Sequence, residues 1–201
     1  MSGDVHVPDE VKQWKIGMYQ SGAVLTTDQW KEGSERNFNI LNLKKNGYFT
    51  WQEQPVGVNL GWTKDTSEAT ARKDRRWWFK RKDGSVSPLL YGERFALGRG
   101  AGASFLRYAH RTIGINLSFE QNPEFEWAVY GGATGSPVNT NVPIAIFNTR
   151  VERGGENGDF MMYFDRPVGG DIGWITSPTL WGQLAPHLKT VVEKAIKVAL
   201  S

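Results

Sequence analysis

One stretch of this chain is written three times, and that constrains the fold more than any other feature. Phe49–Trp62 (FTWQEQPVGVNLGW), Leu106–Phe119 (LRYAHRTIGINLSF) and Met161–Trp174 (MMYFDRPVGGDIGW) align without gaps, at a period of roughly 55 residues. Gly57, Gly114 and Gly169 fall at the same place in each copy. Apolar residues alternate around them: Val56, Val58, Leu60 and Trp62 match Ile113, Ile115, Leu117 and Phe119, then Val168, Gly170, Ile172 and Trp174. A period of two marks a half-buried β-strand. Just upstream, Phe49 with Trp51, Leu106 with Tyr108 and Met161 with Tyr163 mark another strand, joined to the first by a turn through Pro55, Thr112 or Pro167.

A weaker pair of strands precedes each copy. Trp127 and Val129 stand ahead of Ile144 and Ile146 as Trp77 and Phe79 stand ahead of Phe95 and Leu97. The first copy is the loosest, with Trp14 and Ile16, then Phe38 and Ile40 or Leu41. Each unit therefore holds four short strands. Trp77 rather than Trp78 is placed inward, because Lys80 would otherwise share the buried face; Trp78 and Lys80 then stand outward.

Such units are too small to be stable singly, but three of them can close around a common axis and remove exposed strand edges. Here the sequence resembles the β-trefoil superfamily, which includes ricin-B-like lectins, agglutinins, fascin-like actin bundlers and toxin-binding domains. The resemblance rests on the threefold pattern G-x-[ND]-[LI]-[GS]-[WF] over residues 12–176. It implies an all-β fold, a β-trefoil of three four-stranded repeats, preceded by a polar tail at 1–11. The Gln-x-Trp signature of ricin-B sugar binders is replaced by Leu-Gly-Trp, Leu-Ser-Phe and Ile-Gly-Trp.

After Ile175 the period changes. Ser177-Pro178 starts a helix well, and Leu180, Trp181, Leu184, Leu188, Val191, Val192 and Ala195 recur at helical spacing, with Lys189, Lys194 and Lys197 on the polar side. The sequence predicts an amphipathic C-terminal helix over 177–201, split at Pro186, that covers an apolar end of the barrel or engages a partner or a membrane.

Composition removes whole classes of chemistry. With no cysteine, disulfides, thiolate metal sites and cysteine nucleophiles are excluded. His6, His110 and His187 share no motif and no metal-ligand spacing. No nucleophile elbow or Walker loop is present; Gly98 to Gly102 reads as a Gly-rich turn. The expectation is a non-catalytic binding protein without cofactor or metal. Residues 1–15 are polar where a signal peptide would be basic and then apolar. The expected location is the cytoplasm on synthesis, with release by a non-classical route left open.

Two sets of residues are candidates for binding. In the repeated strands, Asn59, Asn116 and Asp171 sit among glycines, and Trp51, Tyr108 and Tyr163 supply aromatic bodies for an amphipathic ligand. The resemblance makes carbohydrate or a glycoconjugate the first choice of partner, bound at three quasi-equivalent sites; a buried, structural role explains the same residues. The second set lies in Lys64–Lys82, which carries eight basic and three acidic residues against a net charge of +3 for the whole chain. Arg72, Lys73, Arg75, Arg76, Trp78, Lys80, Arg81 and Lys82 suit anionic lipid or another polyanion, or form a solvated loop ahead of a buried strand. A toxin or membrane-active component, or an intracellular protein-interaction module similar to fascin-like domains, are the alternative readings.

Overall fold

Where apolar residues alternate, burial alternates with them. In β1 (Trp14–Gly17) the side chains of Trp14 and Ile16 are buried while Lys15 and Gly17 are half-buried. The computed structural model describes residues 7–17, 38–55, 57–64, 77–85, 88–99, 104–111, 115–153, 156–165 and 171–175. The predicted C-terminal helix lies outside these residues. Eleven strands follow β1: β2 (Asn39–Asn42), β3 (Gly47–Trp51), β4 (Leu60–Thr63), β5 (Trp77–Arg81), β6 (Phe95–Arg99), β7 (Ser104–Tyr108), β8 (Leu117–Glu120), β9 (Trp127–Tyr130), β10 (Ala145–Arg153), β11 (Glu156–Tyr163) and β12 (Ile172–Trp174). Among the described residues all strand pairings are antiparallel, and the fold class is all-β.

Consecutive strands pair in sets of four, β1 to β4, β5 to β8 and β9 to β12. The registers coincide between sets. Ile16, Ile40, Phe49 and Trp62 form one rung; Phe79, Leu97, Leu106 and Phe119 form the second; Val129, Ile146, Met161 and Trp174 form the third. Links between sets also recur. Trp77 pairs with Phe38, Trp127 with Phe95 and Trp14 with Ile144, so each set is tied to another through its first tryptophan.

Those three tryptophans are fully buried. A buried indole N–H needs an acceptor, and each finds the same one in the set it is linked to. Trp77 Nε1 donates to the Phe49 carbonyl at 2.9 Å, Trp127 Nε1 to the Leu106 carbonyl at 2.6 Å and Trp14 Nε1 to the Met161 carbonyl at 2.7 Å. Each ring also stacks on the aromatic residue of the last strand of its own set: Trp14 on Trp62 at 6.1 Å, Trp77 on Phe119 at 6.5 Å and Trp127 on Trp174 at 6.4 Å. The rings join the rung residues in a single apolar core that runs through all three sets.

Three expectations need correction. Trp78, expected outward on a basic face, is only 9% exposed. Its cross-strand partner is Gly98, and Phe105 meets its ring edge-on at 5.0 Å, so the second face of β5 is sheltered at Trp78 while Lys80 on the same face is exposed. Val7 and Val11, assigned to a polar tail, are buried against Ala145 and Met162 through a 3-10 turn at Asp9–Val11. The strand expected from Val56 onward starts only at Leu60, for reasons given below.

Gly98 follows from Trp78. A Cβ at position 98 would fall inside the indole, against Cε2, Cζ2 and Nε1. Gly98→Ala is therefore expected to cost about 1–3 kcal/mol, the ordinary range for an overpacked core. Urea denaturation checks this, and a change under half a kcal/mol would mean that Trp78 can move aside.

Candidate functional site

The repeated element is strand, loop, strand: β3 to β4, β7 to β8 and β11 to β12. One backbone bond closes each loop, from Gln52 N to Asn59 O at 3.2 Å, Ala109 N to Asn116 O at 3.1 Å and Phe164 N to Asp171 O at 2.9 Å. The side chains of Asn59 and Asn116 then reach back across the loop. Asn59 Oδ1 accepts from Gln54 N at 3.1 Å and Asn116 Oδ1 from Arg111 N at 3.0 Å. These side-chain bonds compete with strand pairing. In the first copy Gly57, at φ +100°, turns the chain through a conformation that L side chains rarely adopt. The strand accordingly waits until Leu60.

Asp171 plays its part differently. It stands at φ +54°, and its Oδ2 accepts from Lys45 Nζ at 3.1 Å. That carboxylate holds the Lys45 ammonium above its usual pKa, with the Tyr163 hydroxyl adding to the effect against desolvation. Lys45 Nζ lies 3.4 Å from Tyr163 Oη and 5.1 Å from the ring centroid.

The three aromatic candidates occupy equivalent positions but not equivalent environments. Tyr108 and Tyr163 are buried, whereas Trp51 is half-buried. Tyr108 meets Trp174 edge-on at 6.0 Å and Tyr163 meets Trp62 edge-on at 5.8 Å. At Trp51 a cation takes that place: the Arg99 guanidinium lies 4.0 Å from the Trp51 ring and 5.8 Å from the Phe119 ring. Gln52, Glu53 and Pro55 are exposed beside it.

The basic set divides. Arg72, Lys73, Arg75 and Arg76 lie outside the described residues. Lys80 and Lys82 are exposed. Arg81 is tied down, with Nε 2.5 Å from Glu93 Oε1 and Nη2 3.7 Å from Asp83 Oδ2. Glu93 Oε2 also accepts from Leu90 N at 3.1 Å, so this pair pins a loop.

A cluster absent from the sequence reading centres on Glu126, which is 2% exposed. Its Oε1 accepts from the Tyr108 backbone N–H and from Asn148 Nδ2, the latter at 2.9 Å. Oε2 has no hydrogen bond and lies 3.8 Å from Arg150 Nε. Arg150 also reaches Glu124 at 3.6 Å, and Arg107 lies 3.8 Å from Glu124 and 3.3 Å from Glu120. Burial pushes the Glu126 carboxyl up; the hydrogen bonds and Arg150 only partly oppose it. Gln13 and Glu126 each precede an inward tryptophan, and Gln13 Oε1 accepts from Tyr163 N at 3.1 Å as Glu126 does from Tyr108 N.

His110 is exposed on the loop after β7, and among the described residues no cluster of three or more His, Asp or Glu side chains is placed to hold a metal ion. Among the described residues no helix is long and apolar enough to cross a membrane. No protein-family model, no curated protein and no solved structure matches this chain.

Proposed function

We propose that the chain is a β-trefoil that binds carbohydrate or a glycoconjugate without catalysis, through the three strand–loop–strand elements, with the first element dominant. The trefoil reading is supported by the threefold recurrence of pairing links, indole hydrogen bonds and stacked rings, which together describe a cyclic relation between units. The binding reading rests on one observation, the half-buried Trp51, with Arg99 over its ring and exposed Gln52 and Glu53 and the loop amide of Asn59 beside it. An aromatic body suits the C–H face of a pyranose, and short polar groups at its rim suit hydroxyls. Tyr108 and Tyr163 are too deeply placed to offer a ring face; their loops contribute polar rims only.

The test is a glycan array with the full chain, followed by titration calorimetry on the best ligand. Binding should survive high salt, be displaced by free sugar, and weaken about tenfold or more in Trp51→Ala, as for an anchoring aromatic residue. Circular dichroism of that variant controls for its fold. Absence of any retained glycan ends the reading. Retention of heparin alone, lost steeply with added salt, would instead assign recognition to the basic set around Lys80 and Lys82.

A further inference from the structure

Among the described residues a cation stands at each of the three seams between sets, and each keeps different company. At the seam of the first and third sets, Lys45 Nζ donates to Asp171 Oδ2 at 3.1 Å and lies over the Tyr163 ring. At the seam of the second and third, Arg150 is 3.6 Å from Glu124 and 3.8 Å from Glu126. At the seam of the first and second the cation is Arg99. Register sets Arg99 level with Asn42 and Asn148, each two residues past the rung residue of its second strand, Leu97, Ile40 or Ile146. The two asparagines are fully buried and turn their side-chain oxygens onto the loop that follows, accepting from Lys45 N at 2.8 Å and Arg150 N at 2.9 Å. Arg99 is half-buried instead. Its guanidinium crosses to the first set, 4.0 Å from the Trp51 ring, while Nε donates to Ser104 Oγ at 3.4 Å.

The loop residue that meets the cation also changes. Asp171 has its counterparts in Asn59 and Asn116, each standing one residue ahead of the matched row Ile172, Leu60 and Leu117. The third element therefore supplies its own carboxylate to the cation on its aromatic ring. The first element has an uncharged amide at that place, with Oδ1 engaged by Gln54 N at 3.1 Å. Ring and cation recur between the two seams; the acid does not.

Resting on the carbohydrate reading of this element, we infer that Trp51 and Arg99 together select sugars that carry a carboxylate, the ligand's acid taking at Arg99 the role that Asp171 takes at Lys45. A neutral pyranose stacking on Trp51 competes with the guanidinium already over that ring. A carboxylated sugar makes use of it, because a planar guanidinium can keep one face on the indole while its N–H edge donates to both carboxylate oxygens. Glu53, exposed on the same loop, is of opposite sign to Arg99. The site thus favours a single placed acid over a dense polyanion.

The full chain is applied to an array that carries galacturonate-, glucuronate- and sialate-terminated oligosaccharides beside their own methyl esters, which keep the ring and lose the charge, and beside neutral hexose oligomers. The acids should be held about tenfold or more above their esters, as for one well-placed charge-assisted pair. Their retention should fall far less steeply with salt than that of heparin on a basic patch. Arg99→Gln should bring the acid-to-ester ratio to about one. Asn59→Asp, which alters charge and not size, gives the first element the acid of the third and should lower the ratio likewise. Circular dichroism of both variants controls for the fold, and an acid preference unchanged in either folded variant overturns the assignment. Esters and neutral oligomers held as well as the acids, and lost in Trp51→Ala, would overturn acid selection while leaving the carbohydrate reading in place. Retention of no glycan of any kind would end both.

Discussion

Trp77→Ala is expected to cost about 3–5 kcal/mol for the cavity alone, with about 1–3 kcal/mol more for the Phe49 carbonyl left without its buried donor. A chain of this size has about 5–15 kcal/mol in total, so the variant should be marginal or unfolded. Trp77 is the right place to strike because it joins three things: the pairing to Phe38, the stack on Phe49 at 4.8 Å and 3° between planes, and the hydrogen bond from Nε1. Trp77→Phe separates them. It retains a ring against Phe49 and loses the donor, so its cost should be well under half that of alanine. Trp14→Ala and Trp127→Ala should cost somewhat less than Trp77→Ala: each makes the corresponding hydrogen bond and the own-set stack that Trp77 makes on Phe119, but Met161 and Leu106 stand where Phe49 stacks on Trp77. Urea denaturation followed by circular dichroism measures all four. A loss below about 1 kcal/mol for Trp77→Ala, the size of an ordinary surface change, would show that the indole does not hold the sets together.

These tryptophans were legible because each opens a period-two apolar pair, Trp14 with Ile16, Trp77 with Phe79 and Trp127 with Val129, ahead of the repeated rows that end in Trp62, Phe119 and Trp174. Other features turn on a residue far away in sequence. Trp78 alternates with Trp77 and so reads as outward; only the absence of a side chain at Gly98, across the ladder, makes room for it. Arg81 reads as one of a basic run, yet its guanidinium belongs to Glu93. Asn59 and Asn116 look like an exposed polar row, but their amides staple the loops that carry them, a choice between two hydrogen bonds that periodicity does not encode. The candidate site shows the same division. Three aromatic positions could be aligned from the sequence; that Trp51 alone stays half-buried, with Arg99 over its ring, depends on how neighbouring sets meet. Glu126 was missed outright, because a glutamate ahead of a tryptophan resembles any surface glutamate until the sheet closes over it.

Glu126→Gln is expected to leave the fold intact and to remove a pH dependence that the parent chain shows. The glutamate is buried, and its pKa in the folded chain is raised above the ordinary value, roughly 4.3 for an unperturbed glutamate. Between that value and the folded one, the native protein keeps a proton that the unfolded chain has released. Stability therefore falls as pH rises through this interval and levels off above it. The neutral amide carries no such slope, so the variant should equal or exceed the parent at pH 7 and differ less from it at pH 4. Gln13 is the internal precedent: at the same place in the first set, an amide oxygen already accepts from the backbone N–H of Tyr163. Glu126→Ala should behave in the opposite way. It leaves the Tyr108 N–H and Asn148 Nδ2 without their acceptor at a buried site, at a cost of about 2–6 kcal/mol for two orphaned donors. Denaturation of both variants across pH 4 to 8 separates charge from hydrogen bonding. A parent slope that persists unchanged in Glu126→Gln would mean that the buried Glu126 carboxyl is not its source.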